Sequence, residues 1–270
     1  MNPWPGHVGF PATRHSLSDT IPRPGSRETF RVCDHKLFKF FLHLAGVDVG
    51  IINGTEAKPH SRPYMVSLQR NGRHTCGGFL VSQRFVMTAA HCYNRNSEIT
   101  AVLGAHDLSD EGEGALRKEV ETYYVHPIYQ TWQNLDYDIM LLKLKEKVPL
   151  GTTITTIRIP KKEKDIPVGT ICSVAGWGRT GDNESTSNRL METSIRVIDC
   201  KKHYVNKQRV CAVHPGGACF GDSGGPLVFK NTAVGIASFI TGTCEEPQGP
   251  NGFVKISAFL PWISSILDCV

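Results

Sequence analysis

The sequence predicts an all-β protein, a barrel or sandwich of short strands closed by one C-terminal helix. Two observations predict it. From Ile51 onward, short runs rich in Val, Ile, Leu, Phe and Thr alternate with Gly, Pro, Asn and Asp at roughly the 8 to 12 residue spacing of such folds. The last segment, Ser257 to Leu267, instead sets Phe259, Leu260, Ile263, Ile266 and Leu267 at helical spacing. No internal repeat or low-complexity tract breaks the pattern.

In chain order, the expected strand runs are Tyr64 to Gln69, Phe79 to Thr88, Glu98 to Leu103, Ile139 to Leu144, Thr170 to Ala175, Pro226 to Phe229 and Ala233 to Ile240. Residues 1–50 read differently. Pro3, Pro5, Pro11, Pro22 and Pro24 break any period, and no alternation builds a core. The one apolar stretch there, Leu37 to Val47, resembles the hydrophobic part of a secretory signal but is interrupted by Lys39 and His43. Two explanations compete for this pre-region: an extended leader, or a gene-model choice that joined foreign sequence to a truncated leader. The second is favoured. At 270 residues two domains are conceivable, but all-β units commonly run to about 250 residues, so 51–270 is read as one domain.

With 40% hydrophobic and 20% charged residues the chain is too apolar and too mixed to stay disordered. No run approaches the ~20 apolar residues of a membrane-spanning helix. The net charge of +5 comes from scattered Lys and Arg, not from the stripe that nucleic-acid binding requires, so nucleic acid is not expected as a partner. A solvated surface accounts for the charge, and weak sulfated-glycan binding is the one polyanion contact it permits. Nine cysteines without a CxxC pair argue for disulfides and an oxidising compartment, hence secretion. The sequons at Asn53 and Asn183 fit that route. No metal and no cofactor is expected.

Three stretches carry the chemistry: Thr88-Ala89-Ala90-His91-Cys92, Asp138-Ile139-Met140-Leu141-Leu142 and Gly221-Asp222-Ser223-Gly224-Gly225-Pro226. Each alone is ambiguous, since a His beside a Cys, an Asp opening a strand and a Gly-rich turn are all commonly structural. Together they supply a weak hydroxyl nucleophile, a base to take its proton and a carboxylate to orient that base.

The chain from Ile51 to Val270 resembles the chymotrypsin-type (trypsin-like) serine proteases. The landmarks are the Ile51-Ile52-Asn53-Gly54 start, the His segment, the Asp segment, Ala175-Gly176-Trp177-Gly178, the Gly-Asp-Ser-Gly-Gly-Pro loop, and Ser238 before the Gly/Cys loop. The resemblance implies two six-stranded antiparallel β-barrels and a short C-terminal helix. It also implies catalytic residues His91, Asp138 and Ser223, with the backbone N–H groups of Gly221 and Ser223 receiving the developing oxyanion. Ser238 would support Asp138, and Ser238 to Ile240 would pair with extended substrate. Asp136, two residues before Asp138, is given no role and is expected in solvent.

Cleavage before Ile51 would free an amine to pair with Asp222, a buried pair whose loss strands a charge costing ~3 to 5 kcal/mol. Asp48-Val49-Gly50 offers no Arg or Lys there, so signal removal directly before Ile51, or a dedicated peptidase, is the expected route. The specificity pocket would have Gly217 at its base with Ala218 beside it, Ser238 and Ile240 on the opposite wall, and Asn251 near the base. With no carboxylate for Arg or Lys and a β-branched side chain at the entrance, small aliphatic P1 residues fit best. Asn251 would receive a polar side chain or merely bond to backbone, and Phe220 would line the leaving-group side or the pocket lip.

Within the family, the residues around Ser223 and Ser238 look most like leukocyte elastase, granzymes and mast-cell proteases. That branch implies storage granules, protein or peptide substrates, and protein protease inhibitors as partners. The family pattern pairs Cys76 with Cys92, Cys200 with Cys211, and Cys219 with Cys244, each contributing ~2 to 4 kcal/mol. Phe229 stands where the family partner of Cys172 would be. Cys172 is then a buried free thiol or the partner of Cys269, unless one of Cys33, Cys172 and Cys269 links to another chain. The main rival is a non-catalytic granule or antimicrobial binding protein on the same fold. An esterase of another fold would need the order Ser, Asp, His, whereas here it is His, Asp, Ser.

Overall fold

The computed structural model describes residues 51–110, 112, 114–202, 207–213 and 216–268. The pre-region, Cys33 and Cys269 lie outside them. The described elements are β1 (Thr55–Glu56), β2 (Met65–Arg70), β3 (Arg73–Ser82), β4 (Phe85–Thr88), β5 (Thr100–Leu103), β6 (Leu116–Val125), α1 (Pro127–Trp132), β7 (Met140–Leu144), β8 (Ile171–Gly176), β9 (Met191–Ile198), β10 (Arg209–Val213), β11 (Pro226–Phe229), β12 (Thr232–Phe239), β13 (Asn251–Lys255) and α2 (Leu260–Leu267).

Two closed six-stranded antiparallel barrels result. The first runs β2-β3-β4-β7-β6-β5; in the second, β9-β10-β13-β12-β11-β8 closes as β8 returns to β9, with β1 added on the outer side of β9. Closure removes the sheet edges that exposed strands would otherwise present. Phe79, Leu80, Val86, Met87 and Leu142 of the first barrel belong to one buried cluster; Ile51, Val174, Ile195, Leu227 and Phe253 belong to a second, within the other barrel. Ile263 and Ile266 of α2 join the larger cluster, which takes residues from both barrels.

Two sequence expectations need correction. The run from Phe79 to Thr88 is a hairpin, not one strand: β3 and β4 pair with Phe79 opposite Met87, turning at Gln83-Arg84 without any Gly or Pro. Arg84 holds the turn to its neighbours, donating Nε–H to the Leu144 carbonyl at 2.9 Å. The final helix begins as a 3-10 turn, Ile256–Phe259, and becomes α-helical only at Leu260, where Pro261, lacking an N–H, suits the first helical turn.

Disulfides join Cys76 to Cys92, Cys200 to Cys211 and Cys219 to Cys244. Cys172 is a buried free thiol, and desolvation pushes it up to about 11. Phe229 packs against the same cluster as Cys172, so a ring stands where a second sulfur would be needed. Asn53 and Asn183 are both exposed.

Phe79→Ala empties a fully buried position in the first barrel and should cost about 3 to 5 kcal/mol in urea denaturation. Trp132→Ala, at a side chain 76% exposed, should stay within about 0.5 kcal/mol of the parent. A comparable loss at both sites would contradict this placement of the core.

Candidate active site

His91 leaves β4 on a 3-10 turn, Ala90–Cys92, whose last residue is pinned to β3 through the Cys76–Cys92 disulfide. Asp138 follows another 3-10 turn, Leu135–Tyr137, capped by Asn134, whose side-chain oxygen accepts from the Asp136 N–H at 2.9 Å. The Asp138 carboxylate is completely buried. Oδ1 accepts the His91 backbone N–H at 2.8 Å, and Oδ2 lies 2.7 Å from His91 Nδ1. Ser238, near the end of β12 in the other barrel, donates its hydroxyl to the same Oδ2 at 2.5 Å. An ionised carboxylate only accepts, so Nδ1 carries a proton here and Nε2 is left as the basic nitrogen.

Ser223 lies in the tight segment from Cys219 to Gly225, tied at one end by the Cys219–Cys244 bridge. Two glycines in the left-handed region, Gly221 (φ +100°) and Gly224 (φ +83°), make the turn. The loop docks on the first barrel through Gly77 N–H to the Ser223 carbonyl at 2.8 Å. Among the described residues neither the Gly221 nor the Ser223 N–H has an acceptor, and both residues line the cleft that holds His91. His91 and Ser223 share that cleft without a direct hydrogen bond; such contacts commonly tighten only around substrate.

Asp222 points away from the cleft and is buried, with Oδ1 accepting from the Gly178 N–H at 2.8 Å and Oδ2 from the Cys219 N–H at 2.9 Å. No basic side chain among the described residues pairs with it. Desolvation pushes the group up to about 7 against the pull of those two donors. Gly176 and Gly178 make room for it: a Cβ on either would lie 2.1 and 2.4 Å from its carboxylate atoms.

Sequence reasoning missed His74. Its Nε2 lies 2.9 Å from the Gly221 carbonyl and its Nδ1 2.8 Å from Ser67 Oγ. Burial pushes it down to about 4, so the neutral ring donates from Nε2 and accepts from the Ser67 hydroxyl, holding the loop beside Ser223. Its contact is 147 residues away along the chain, which leaves no local signal. Asp136 was also misjudged. It is an ion-pair partner of Arg209, with side-chain exposures of 18% and 10%, not a solvated residue. Again only the fold joins the two.

The neighbouring pocket is lined by Gly217, Ala218, Ile240 and Asn251. Asn251 Oδ1 accepts from the Ala218 N–H at 3.2 Å, and a Cβ on Gly217 would lie 2.3 Å from that oxygen. Ile52 and Gly217 exchange both backbone hydrogen bonds at 3.1 Å, coupling the segment after Ile51 directly to this wall. Phe220 is 54% exposed at the cleft, with the Arg179 guanidinium 5.8 Å from its ring centre. Cys76, His91 and Cys92 bring potential metal-binding atoms within 4.8 Å of one another, but the two sulfurs are spent in a disulfide and offer no thiolate.

The trypsin family model matches residues 51–263. Mast cell protease 2 of Meriones unguiculatus is 42% identical over 229 residues, covering 80% of this chain and 90% of that one. A chymase of Macaca fascicularis is 41% identical over 244 residues, covering 86% and 96%. Among solved structures, human heparin binding protein superposes with a TM-score of 0.74 at 34% identity, covering 81% of this chain and 97% of that one. Neuropsin, a serine protease of mouse brain, gives 0.73 at 32%, covering 80% and 100%.

The docking of the Ser223 loop on the first barrel leaves no room for a side chain at 224. A Cβ there would sit 2.1 Å from Thr88 Oγ1 and 2.5 Å from the Gly77 carbonyl, at a φ already unfavourable for other residues. Gly224→Ala should therefore lose about 3 kcal/mol or more in equilibrium unfolding, and a near-neutral result would contradict this packing.

Proposed function

The chain belongs to the trypsin family of serine endopeptidases, and on that premise we propose that Ser223, His91 and Asp138 hydrolyse peptide bonds through an acyl-enzyme. Ser223 Oγ attacks the scissile carbonyl carbon while its proton passes to His91 Nε2. The carbonyl oxygen takes up the negative charge and is received by the Gly221 and Ser223 N–H groups. His91 then protonates the leaving amine, the C–N bond breaks, and water attacks the ester by the same route in reverse order of proton transfer. Asp138 keeps the ring in one tautomer and stabilises the imidazolium. The observation that carries this reading is the pair of N–H donors that have no acceptor among the described residues, in two residues lining the cleft that holds His91 and Ser223.

Small aliphatic side chains are the P1 residues of this enzyme. Ile240 narrows the pocket, Gly217 brings no charge to its base, and the Asn251 oxygen is committed to the Ala218 N–H. The protein is secreted, with storage granules as its compartment, as its paired cysteines and exposed sequons suit. Protein protease inhibitors would occupy the same cleft.

Ile51 is fully buried and holds φ +49°. A β-branched residue in the left-handed region is strained, and cutting the bond before Ile51 abolishes that torsion. The freed amine supplies the cation that buried Asp222 lacks. Pairing there, together with the Ile52–Gly217 bonds, orders the pocket and the loop at once.

Sulfated glycans are a second partner. Lys161, Lys162 and Lys164 are exposed in one stretch with Glu163 and Asp165, and the exposed Lys201 and Lys207 act on Asp165, whereas Lys255 is buried and paired with both acids. The fold thus assembles lysines that the sequence scatters. A binding-only function on the same barrels is the alternative favoured by this face and by the likeness to heparin binding protein.

The test is the full chain carrying an engineered cut directly before Ile51, profiled on a peptide library. Cleavage after Val, Ala or Ile is expected, and Ser223→Ala should abolish it with Tm nearly unchanged. Preference for Arg or Phe would overturn the pocket reading; a cut chain that cleaves nothing yet binds sulfated glycan would establish the alternative.

Asp222 also yields a pH signature. Burial raises it from 3.8 to about 7, so the uncut chain favours the protonated acid and loses stability as the pH rises through about 7. His74, lowered from 6.5 to about 4, contributes above its ordinary value and loses that contribution as the pH falls, alike in both forms. The Tm advantage of the cut chain should therefore widen from about pH 4 to about pH 7. Calorimetry finding a constant gap would rule out the pairing.

A further inference from the structure

The Asp136–Arg209 ion pair spans the two barrels. Asp136 lies in the 3-10 turn Leu135–Tyr137 that delivers Asp138 from the first barrel, and Arg209 opens β10 of the second. The Arg209 guanidinium carbon stands 4.6 Å from the centre of the Phe239 ring. Phe239 has little freedom: its ring lies so close to Gly252 that a Cβ there would sit 2.3 Å from two ring carbons. The residue before Phe239 is Ser238, whose hydroxyl donates to Asp138 Oδ2 at 2.5 Å. The contacts therefore close a ring, from Asp136 through Arg209 and Phe239 to Ser238, then Asp138 and back to Asp136.

Both partners of the ion pair are largely buried, which separates it from an ordinary surface pair worth little. Its planar cation is held by a carboxylate and faces an aromatic ring at the same time, a combination that suits Arg and not Lys. On the far side of the turn, Tyr137 stacks on His126 and Phe259 with ring centres 5.1 and 5.8 Å away. The turn is thus gripped from two directions, and the Arg209 grip reaches, through Phe239, the strand that carries Ser238.

Resting on the proposed catalytic roles, we infer that Arg209 is a positioning residue: it holds Asp136 against the Phe239 face and so fixes the angle at which Asp138 meets His91 and Ser238. It lines neither the cleft of His91 and Ser223 nor the pocket of Gly217. The groups facing Asp138 are His91, Ser238 and the Tyr129 phenol, which burial and the Asp138 charge push up to about 12.

The test must remove the tie without changing net charge, because Arg209→Ala alone would leave the Asp136 charge acting on His91 through space. The double variant Asp136→Asn/Arg209→Gln meets that need, and Arg209→Lys keeps a cation for Asp136. In the cut full chain, the double variant should lower kcat about tenfold with KM within about twofold. In the uncut full chain, without substrate, the His91 Nδ1–H signal in NMR should exchange faster with water, as the looser carboxylate holds that proton less well. Arg209→Lys, which keeps the charge but not the planar group over Phe239, should recover only part of kcat and of the slow exchange. Unchanged kcat and unchanged Nδ1–H exchange in the double variant would overturn the inference, whatever happened to Tm. A loss confined to KM would overturn it too, by making Arg209 a substrate contact. If Ser223→Ala kept hydrolysing peptides, the catalytic reading would fall while the NMR result still judged the positioning role.

Discussion

A carboxylate stripped of water at the junction of two barrels has to be met by donors from both. Asp138 is that group, completely buried, and it receives the backbone and ring of His91 from one barrel and the hydroxyl of Ser238 from the other. An isolated buried charge costs several kcal/mol or more, so these bonds are a condition of the fold as much as of the chemistry. Satisfying the carboxylate brings the imidazole to the lip of the cleft in one orientation. The barrels are scaffolds for that meeting, each contributing residues that neither could present alone.

Asp222 poses the opposite case. It too is buried, but among the described residues it has two backbone donors and no cation, and its affinity for a proton rises accordingly. One buried carboxylate is therefore complete and the other is not, within a few residues of the same cleft. The incomplete one sits between Gly178 and Cys219 and is flanked by a segment that pairs with Ile52, so whatever completes it acts on pocket and loop together. Neutral His74, clasped between Ser67 and the Gly221 carbonyl, steadies that loop from the first barrel.

Much of this was legible along the chain because it depends on local pattern. The alternating runs at β2, β8, β11 and β12 correspond to observed strands within a residue or two. Other elements gave no such signal. Strand β6 is half polar, LRKEVETYYV, and owes its place to pairing with β5 and β7. Helix α1 is six residues with no buried side chain and a histidine at its N-cap, too short and too exposed to show a period. The β3–β4 hairpin turns on Gln83 and Arg84, and without Gly or Pro the two strands read as one. Asp136, judged by its neighbours alone, looked solvated, because Arg209 lies 73 residues away.

The amino-acid sequence by itself determined the all-β class, the closing helix, the cysteine-rich character and the residue types able to act on a carbonyl, since spacing and chemistry are properties of the chain. The tertiary structure alone decided which groups meet: that Asp138 is satisfied by both barrels, that Asp222 meets no cation among the described residues, that Cys172 stays a thiol, and that Arg209 bridges two barrels. The physical reason is burial. Desolvation turns a contact between distant residues into a large energy, and no window along the chain records which residues will lose their water together.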